Sequence, residues 1–365
     1  MQMQDKISFG NWEAAMLLTN LICAKIFLYY TRMTAEDAGT AAWILSVYIS
    51  LLALIMFMVL IKLFRKFEGR DILDIAEIAG GKPLKIITGL VLTGVLLYLS
   101  VAFLREFTEE MKVVSLPTSP LSYIMFFFII GVVVGSYLGI EAILRYNAII
   151  VPVITVGFIA ILIGVIPQID LTNLFPLLGN GPYSIFGKGF FRVSVFAELV
   201  ILFLMPPFLG NYKNVKRVGY IAIGLSSAFF IAGSMMYILT FPYPSNLESF
   251  LPIYQMARLI NLGRFFQRIE AVFVFIWAMA AFIYLAATFY FMVYAIAKTS
   301  GLKYMRPLIF PFAVIVYSAA FIPQNLITVI NFKTHFFNKT AWLVTFVFTG
   351  LIMAIANLRK DVKRR

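Results

Sequence analysis

Residues 40–63 read TAAWILSVYISLLALIMFMVLIKL, twenty-four positions with one charge, Lys62. About twenty apolar residues in a helix, at ~1.5 Å each, cross the ~30 Å hydrocarbon core of a bilayer. Nine further stretches read the same way, at roughly 9–30, 86–108, 119–139, 143–166, 187–209, 218–241, 268–297, 307–330 and 337–357. Hydrophobic residues make up 62% of the 365, charged residues 13%, and mean hydropathy is +0.93. Those values lie outside the range of soluble domains. The expected fold is an all-α polytopic membrane protein, one transmembrane domain over 1–365 with ten transmembrane helices. The eighth stretch is longer than a bilayer needs, which predicts tilt or projection beyond the membrane.

Basic residues orient such a chain, because cytoplasmic loops collect Lys and Arg. With ten spans, nineteen of the thirty basic residues fall on one side and ten on the other, and Lys25 lies inside the first span. The richer side holds the 62–85 connection, the turns near 213 and 303, and a basic tail at 358–365. Both termini are therefore expected in the cytoplasm. The same distribution accounts for the net charge of +13 through anionic lipid headgroups. No soluble segment is long enough to present a nucleic-acid surface, so no nucleic-acid partner is expected. The opening MQMQDKIS has no basic n-region and cleavage site, and no removable signal peptide is expected.

One cysteine, Cys23, and one histidine, His335, leave no disulfide and no His/Cys metal cluster. His335 is expected in the short external turn before span ten, away from any nucleophile. The reading is therefore not an enzyme, with no cofactor and no metal. Most connections are short, so neighbouring helices pack antiparallel. The stretch 62–85 suits an amphipathic helix on the membrane surface, ended by Gly80 and Gly81. Residues 167–186 read as a Pro/Gly/Asn loop, and 251–262 as a re-entrant or interfacial helix.

Charges inside spans are the sharpest clues, because a charge at the bilayer centre costs at least a few kcal/mol unless it faces protein or water. Glu13, Lys25, Arg105, Glu141 and Glu198 qualify. Arg105 and Glu141 sit near membrane ends, where interfacial snorkelling is the simpler reading, and Glu13 is equally ordinary. Lys25 lies about 24 Å along span one by helix rise. Glu198 is about a dozen residues into span six, so it should face a cavity or a cation. Pro152 interrupts span five, Pro206 and Pro207 end span six, and Pro311 and Pro323 bend span nine. Many transporters hold their ligand at mid-membrane between discontinuous helices in corresponding positions of two inverted halves. Ten spans divide into five and five, about 9–166 and 187–357. Spans one and six are then equivalent, and they carry the two deepest charges.

Three segments support a resemblance. LREFTEEMKVVSLPTSP in 104–120 is followed by a span and then GIEAILRYNAIIVP up to Pro152. LPIYQMARLINLGRFFQRIEAVFVFIW runs to Trp277, with Arg268, Glu270 and Trp277 as fixed points, and FPLLGNG occupies 175–181. Along essentially its whole length the chain resembles the B subunits of spore germinant receptors, permease-like members of the amino acid/polyamine/organocation (APC) superfamily. The resemblance implies a LeuT/APC-like 5+5 inverted repeat with discontinuous helices 1 and 6 around a small nutrient molecule. It implies an amino acid or similar germinant, the inner membrane of the spore, and two partners, a germinant receptor A subunit and a lipoprotein C subunit.

Carried over by position, the resemblance places Thr19, Asn20, Cys23, Ala24 and Lys25 at the ligand site from span one. Here Cys23 and Lys25 stand at the usual glycine positions, which weakens the case for an easily unwound backbone. Span six contributes Ser194, Val195, Phe196 and Glu198, span three Tyr98, Leu99 and Ala102, and span eight Tyr284 and Thr288. Lys25 is expected either to pair with the ligand carboxylate or to stand in for a coupling cation. Three classes of function remain in play: a nutrient sensor, a proton-coupled amino acid permease using Glu198 or Glu13, and a scaffold or solute channel.

Overall fold

The computed structural model describes residues 9–249, 251–260 and 269–359. The expectations for residues 1–8, Arg264, Arg268 and the tail beyond 359 lie outside the described residues, as does the side chain of Glu270. The described chain is helical, with no β-strand among the described residues. Among the described residues, seven runs are by length and composition apolar enough to cross a membrane: Tyr30–Phe64, whose first part folds back at Gly39, Ile72–Val114, Leu121–Leu138, Ile140–Gln168, Tyr212–Thr240, Phe273–Thr299 and Leu326–Leu358. This is an integral membrane protein.

The stretches that fall short of that length are the informative ones. The first consists of α1 (Asn11–Cys23), a 3-10 turn over Ala24–Phe27 and α2 (Tyr30–Ala38). Leu28, at φ −101° and ψ −102°, breaks the helical ladder between them. Gly39, at φ 63°, then turns the chain into α3 (Ala42–Phe64). In one continuous helix Tyr30 and Ser46 would lie about 24 Å apart. The Tyr30 hydroxyl instead donates to Ser46 Oγ at 2.9 Å, so α2 folds back along α3.

The sixth stretch is a 3-10 run over Lys188–Phe196, then two short turns, α7 (Leu199–Leu202) and α8 (Pro206–Leu209). These two broken segments are also the most enclosed. Every residue from 14 to 31 and from 192 to 206 is buried. A helix that is apolar all round is buried all round. The surrounding helices are α4 (Ile72–Val114), α5 (Leu121–Leu138), α6 (Ile140–Gly164), α9 (Tyr212–Thr240) and α11 (Ile269–Thr299). They present exposed apolar residues outward, such as Ile87, Phe127, Ile149 and Val156.

One end of the bundle gathers both described chain ends. Asn11 donates to Asn214, Asn357 to the Leu63 carbonyl, and the Ile72 N–H to the Phe203 carbonyl, each at 2.9 Å. Lys298 bridges Asp71 at 2.8 Å and Asp74 at 2.6 Å, and Tyr294 donates to Asp71 at 2.7 Å. Burial pushes the Asp71 carboxyl up against the pull of Lys298.

Several expectations are corrected. The 62–85 stretch does form a helix, which Asp71 and Asp74 start with a capping box and Gly81 (φ 72°) kinks. Its apolar face, Ile72, Leu73, Ile75 and Ala76, is buried in the protein core rather than laid on a membrane surface. Span nine ends early: α12 covers Arg306–Ala319, and Pro323 falls in the turn after it instead of bending a helix. The next helix begins at Asn325, whose side chain caps α13 (Leu326–Phe332) by accepting from Thr328 N at 2.9 Å. The run continues through a π-turn over Lys333–Phe337, α14 (Asn338–Trp342), a second π-turn and α15 (Thr349–Leu358). The turn expected around 331–336 is thus helical, and His335 lies on it. Within the 251–262 stretch a helix does form, α10 (Pro252–Leu259), and residues 261–262 lie outside the described residues.

At the other end, the 167–186 loop docks on the close of α2. Asn180 N donates to the Ala38 carbonyl at 3.2 Å and Asp170 N to the Leu239 carbonyl at 3.0 Å. The Thr172 hydroxyl and backbone N–H hold the Asp170 carboxyl below the usual carboxylate range. Gly179 sits at φ 48°, where a Cβ would meet the Ala38 carbonyl oxygen at 1.8 Å. Gly179→Ala is expected to cost at least about 1–2 kcal/mol from the left-handed backbone alone. Displacement of the loop adds to that. Limited proteolysis checks it, with faster cleavage within 170–186 expected in the variant and an unchanged rate counting against the docking.

Candidate functional site

The two helix breaks face each other, and the charges that marked them in the sequence meet there. Lys25 Nζ, in the 3-10 turn after α1, pairs with Glu198 Oε2 and donates to the Val195 carbonyl at 2.5 Å. The Glu198 Oε1 atom accepts from the Tyr284 hydroxyl at 2.8 Å. All four residues are buried. Val195 and Glu198 come from the join of the 3-10 run and α7, where the helical ladder gives way and carbonyls are free to accept. The ammonium thus has one carboxylate and one freed carbonyl in a water-poor interior, a setting in which an unpaired charge would be untenable. The unwinding does not need glycine. Ala24 (φ −50°), Leu28 (φ −101°) and Tyr29 (φ −111°) all stay at negative φ, so none needs the positive φ that favours glycine.

The remaining expected residues divide into those around this pair and those engaged elsewhere. The Tyr284 ring stacks on Phe103 at 3.9 Å. One turn on, the Thr288 hydroxyl accepts from Ser100 at 3.2 Å. Leu99, Ala102, Cys23 and Ala24 are buried in the same interior. Phe196 packs edge-on against Phe230 at 5.7 Å, and Ser194 Oγ accepts from the Trp342 N–H at 3.1 Å, just before the second π-turn. Thr19 donates to its own helix, to Ala15 O at 2.8 Å, and Asn20 ties α1 to α11 through Ala280 O at 3.1 Å. Tyr98 points instead at the last helical run, its ring 4.4 Å from that of Phe337. An apolar cleft of about 380 Å³, lined by Phe27, Phe158, Ile161, Ile260, Phe273 and Trp277, reaches the turn that carries Lys25.

A second buried charge cluster lies next to the first. Lys333 Nζ, expected in a loop, is only 6% exposed; it pairs with Glu106 and sits 3.8 Å above the Tyr29 ring. Glu110, one turn further along α4, is equally enclosed. Arg105 does not snorkel: it is 5% exposed, bonded to Glu109 at 2.7 Å and to the Ala320 carbonyl at 3.1 Å. Its partner carbonyl comes from the end of α12, a contact that no local pattern reports. Glu141 is only partly buried and pairs with exposed Arg145. Sequence reasoning passed over Glu106, Glu110 and Lys333. The available signal was the spacing in REFTEE, which pairs 105 with 109 and 106 with 110 on two adjoining helix faces. Beyond the first cluster, Arg192 binds Asp37 through two nitrogens, at 2.5 and 2.8 Å, tying the second half of span one to the first half of span six.

The profile of the spore permease family, described as spore germination protein, matches residues 11–329. The chain belongs to that spore germination protein family. Spore germination protein YndE of Bacillus subtilis (strain 168) is 23% identical over 282 residues, 76% of this chain and 77% of that protein. Spore germination protein B2 of the same organism is 19% identical over 227 residues, 62% of this chain and 61% of its own. Among solved structures, a nucleobase-cation-symport-1 family transporter, closed with bromovinylhydantoin bound, superposes with a TM-score of 0.71 at 13% identity. It covers 95% of this chain and 78% of the other. A sodium-coupled sialic acid symporter, substrate-bound and outward-open, gives a TM-score of 0.66 at 11% identity, covering 96% and 88%. The chain thus shares its fold with these two transporters.

Proposed function

We propose that this spore germination protein is the nutrient-sensing subunit of a germinant receptor. It binds a small germinant, an amino acid, at mid-membrane between the breaks of spans one and six. The observation that carries the reading is the Lys25 ammonium held by Glu198 and the Val195 carbonyl where the two broken helices meet. In transporters with discontinuous helices, unwound carbonyls hold the coupling cation beside the substrate. Here the chain supplies a cation of its own, which cannot leave. A tethered cation suits a protein that changes shape on binding ligand more than one that cycles an ion across the membrane. Around it, the buried Phe103, Tyr284, Val195 and Leu99 are mostly apolar surroundings that suit a small aliphatic side chain, and the cleft beside Phe27 offers a route in.

The architecture that goes with this reading has ten spans in two inverted halves, about 9–166 and 187–357. The short α12 counts as span nine, and the broken segments as spans one and six. Both termini and the basic turns face the cytoplasm, the protein sits in the spore inner membrane, and an A subunit and a lipoprotein C subunit receive the signal.

The alternative is a proton-coupled amino acid permease, favoured by the buried carboxylates and the symporter fold. Purified protein separates them. The sensor reading expects an amino acid to raise the unfolding temperature in wild type with no accumulation in proteoliposomes. Robust accumulation driven by a pH gradient, by this chain alone, would establish the permease. No thermal shift with any amino acid would leave a scaffold or solute channel.

A further inference from the structure

The charge cluster beside the ligand site does not balance. Glu106 and Glu110 are one helical turn apart on α4, both buried, with Glu110 only 1% exposed. Among the described residues, Lys333 is the one ammonium facing the pair and is engaged by Glu106, and Glu106 Oε1, Glu110 Oε2 and the Tyr98 hydroxyl are buried with no hydrogen-bond partner. The other charged neighbours on α4 are spoken for: Arg105 is taken by Glu109 and the Ala320 carbonyl. Tyr29 lies against Lys333 from the far side. Two ionised carboxylates against one ammonium would leave a net buried negative charge, and a buried carboxyl without a counter-charge neutralises instead.

We propose that Glu110 is a proton-binding site, occupied in the enclosed arrangement described here, whose proton passes to water when the bundle opens. A proton fits the site better than a metal ion does. A hard cation wants about six or more oxygens, whereas this cluster offers three unpartnered ones beside a lysine that repels cations. The site also adjoins the ligand pair, since Lys333 lies over the ring of Tyr29, four residues along the chain from Lys25. Ligand-driven movement at Lys25 would therefore be felt by the protonated cluster. Glu110, and not Glu198 or Glu13, is the proton carrier. Glu198 is committed to Lys25 and Tyr284. Glu13 is only half-buried. This proposal rests on the fold and the charge balance, not on which germinant is bound.

Infrared spectroscopy of the full chain in lipid nanodiscs at neutral pH tests it without any germinant. The expected result is a neutral-carboxyl C=O band, sensitive to deuterium exchange, that is present in wild type and lost in Glu110→Gln. If that variant fails to fold, Glu110→Asp should shift the same band. Absence of the band from wild type, its persistence in Glu110→Gln, or a carboxylate band that moves between sodium, potassium and choline buffers would overturn the proposal. A linked readout is stability against pH. A proton held in the folded state and lost on unfolding makes the unfolding equilibrium rise about tenfold per pH unit above the ordinary glutamate range. Glu110→Gln should remove that increment, and identical slopes in the two proteins would count against the site.

Discussion

Lys25→Met is expected to destabilise the protein by about 3–5 kcal/mol and to abolish the response to germinant. The loss follows from what stays behind. Glu198, fully buried, would keep only the Tyr284 hydroxyl as a partner, and the Val195 carbonyl would lose its donor. Breaking a buried pair from one side strands a charge, whereas removing both partners does not. Lys25→Met combined with Glu198→Gln should therefore recover most of the stability. What the double variant does with ligand separates two roles for the pair. If Lys25 only braces the two breaks, stability and the germinant-induced thermal shift return together. If it is the tethered cation of the site, stability returns and the thermal shift does not. Unfolding in mixed micelles and germinant response at matched receptor abundance measure the two. An unchanged dose response in the single variant would sink the assignment of Lys25.

Most of the frame was legible in the sequence, because long apolar stretches leave few options in a bilayer. The broken spans were marked in the sequence by Lys25 and Glu198, since a charge deep in an apolar run has to find a partner, but that the two charges meet each other, rather than a ligand carboxylate and a bound cation, emerged only in the structure. The glycine argument pointed the wrong way. Glycine is needed where φ turns positive, and this break does not turn it positive; its backbone stays at negative φ while Lys25 anchors the unwound turn.

The second cluster was not legible for a related reason. Lys333 and His335 lower the local hydropathy, so averaging places a turn there. The structure puts the turn some ten residues earlier, where Pro323 stops one helix and the Asn325 cap starts the next. Once 331–336 is taken as loop, Lys333 looks solvated and Glu106 loses its only visible counter-charge. Arg105 misled in the same manner, because its Ala320 acceptor comes from the turn that averaging erased.

Lys333→Met should cost as much as Lys25→Met, about 3–5 kcal/mol, although the sequence gives it no such weight. Its ammonium holds Glu106, lies against the Tyr29 ring and faces Glu110. Removing it leaves two buried carboxyls and no cation. One remedy open to the variant is for the stranded carboxyl pair to take up a further proton. Its deficit should then shrink as pH falls, because protonation relieves the stranded charge in the folded state. Lys333→Met with Glu106→Gln should be far less destabilised, and the pH dependence of its deficit should flatten. Lys333→Arg, which keeps the charge, tests geometry: a π-turn positions the residue over Tyr29, and a planar guanidinium can stack there while still reaching Glu106. Near-wild-type stability in Lys333→Arg, with a pH-dependent loss in Lys333→Met, would establish that charge balance holds the last helical run to α4. A loss of less than about 1 kcal/mol in Lys333→Met, the range of exposed pairs, would mean that water reaches the cluster and that the pair contributes no more than a surface ion pair does.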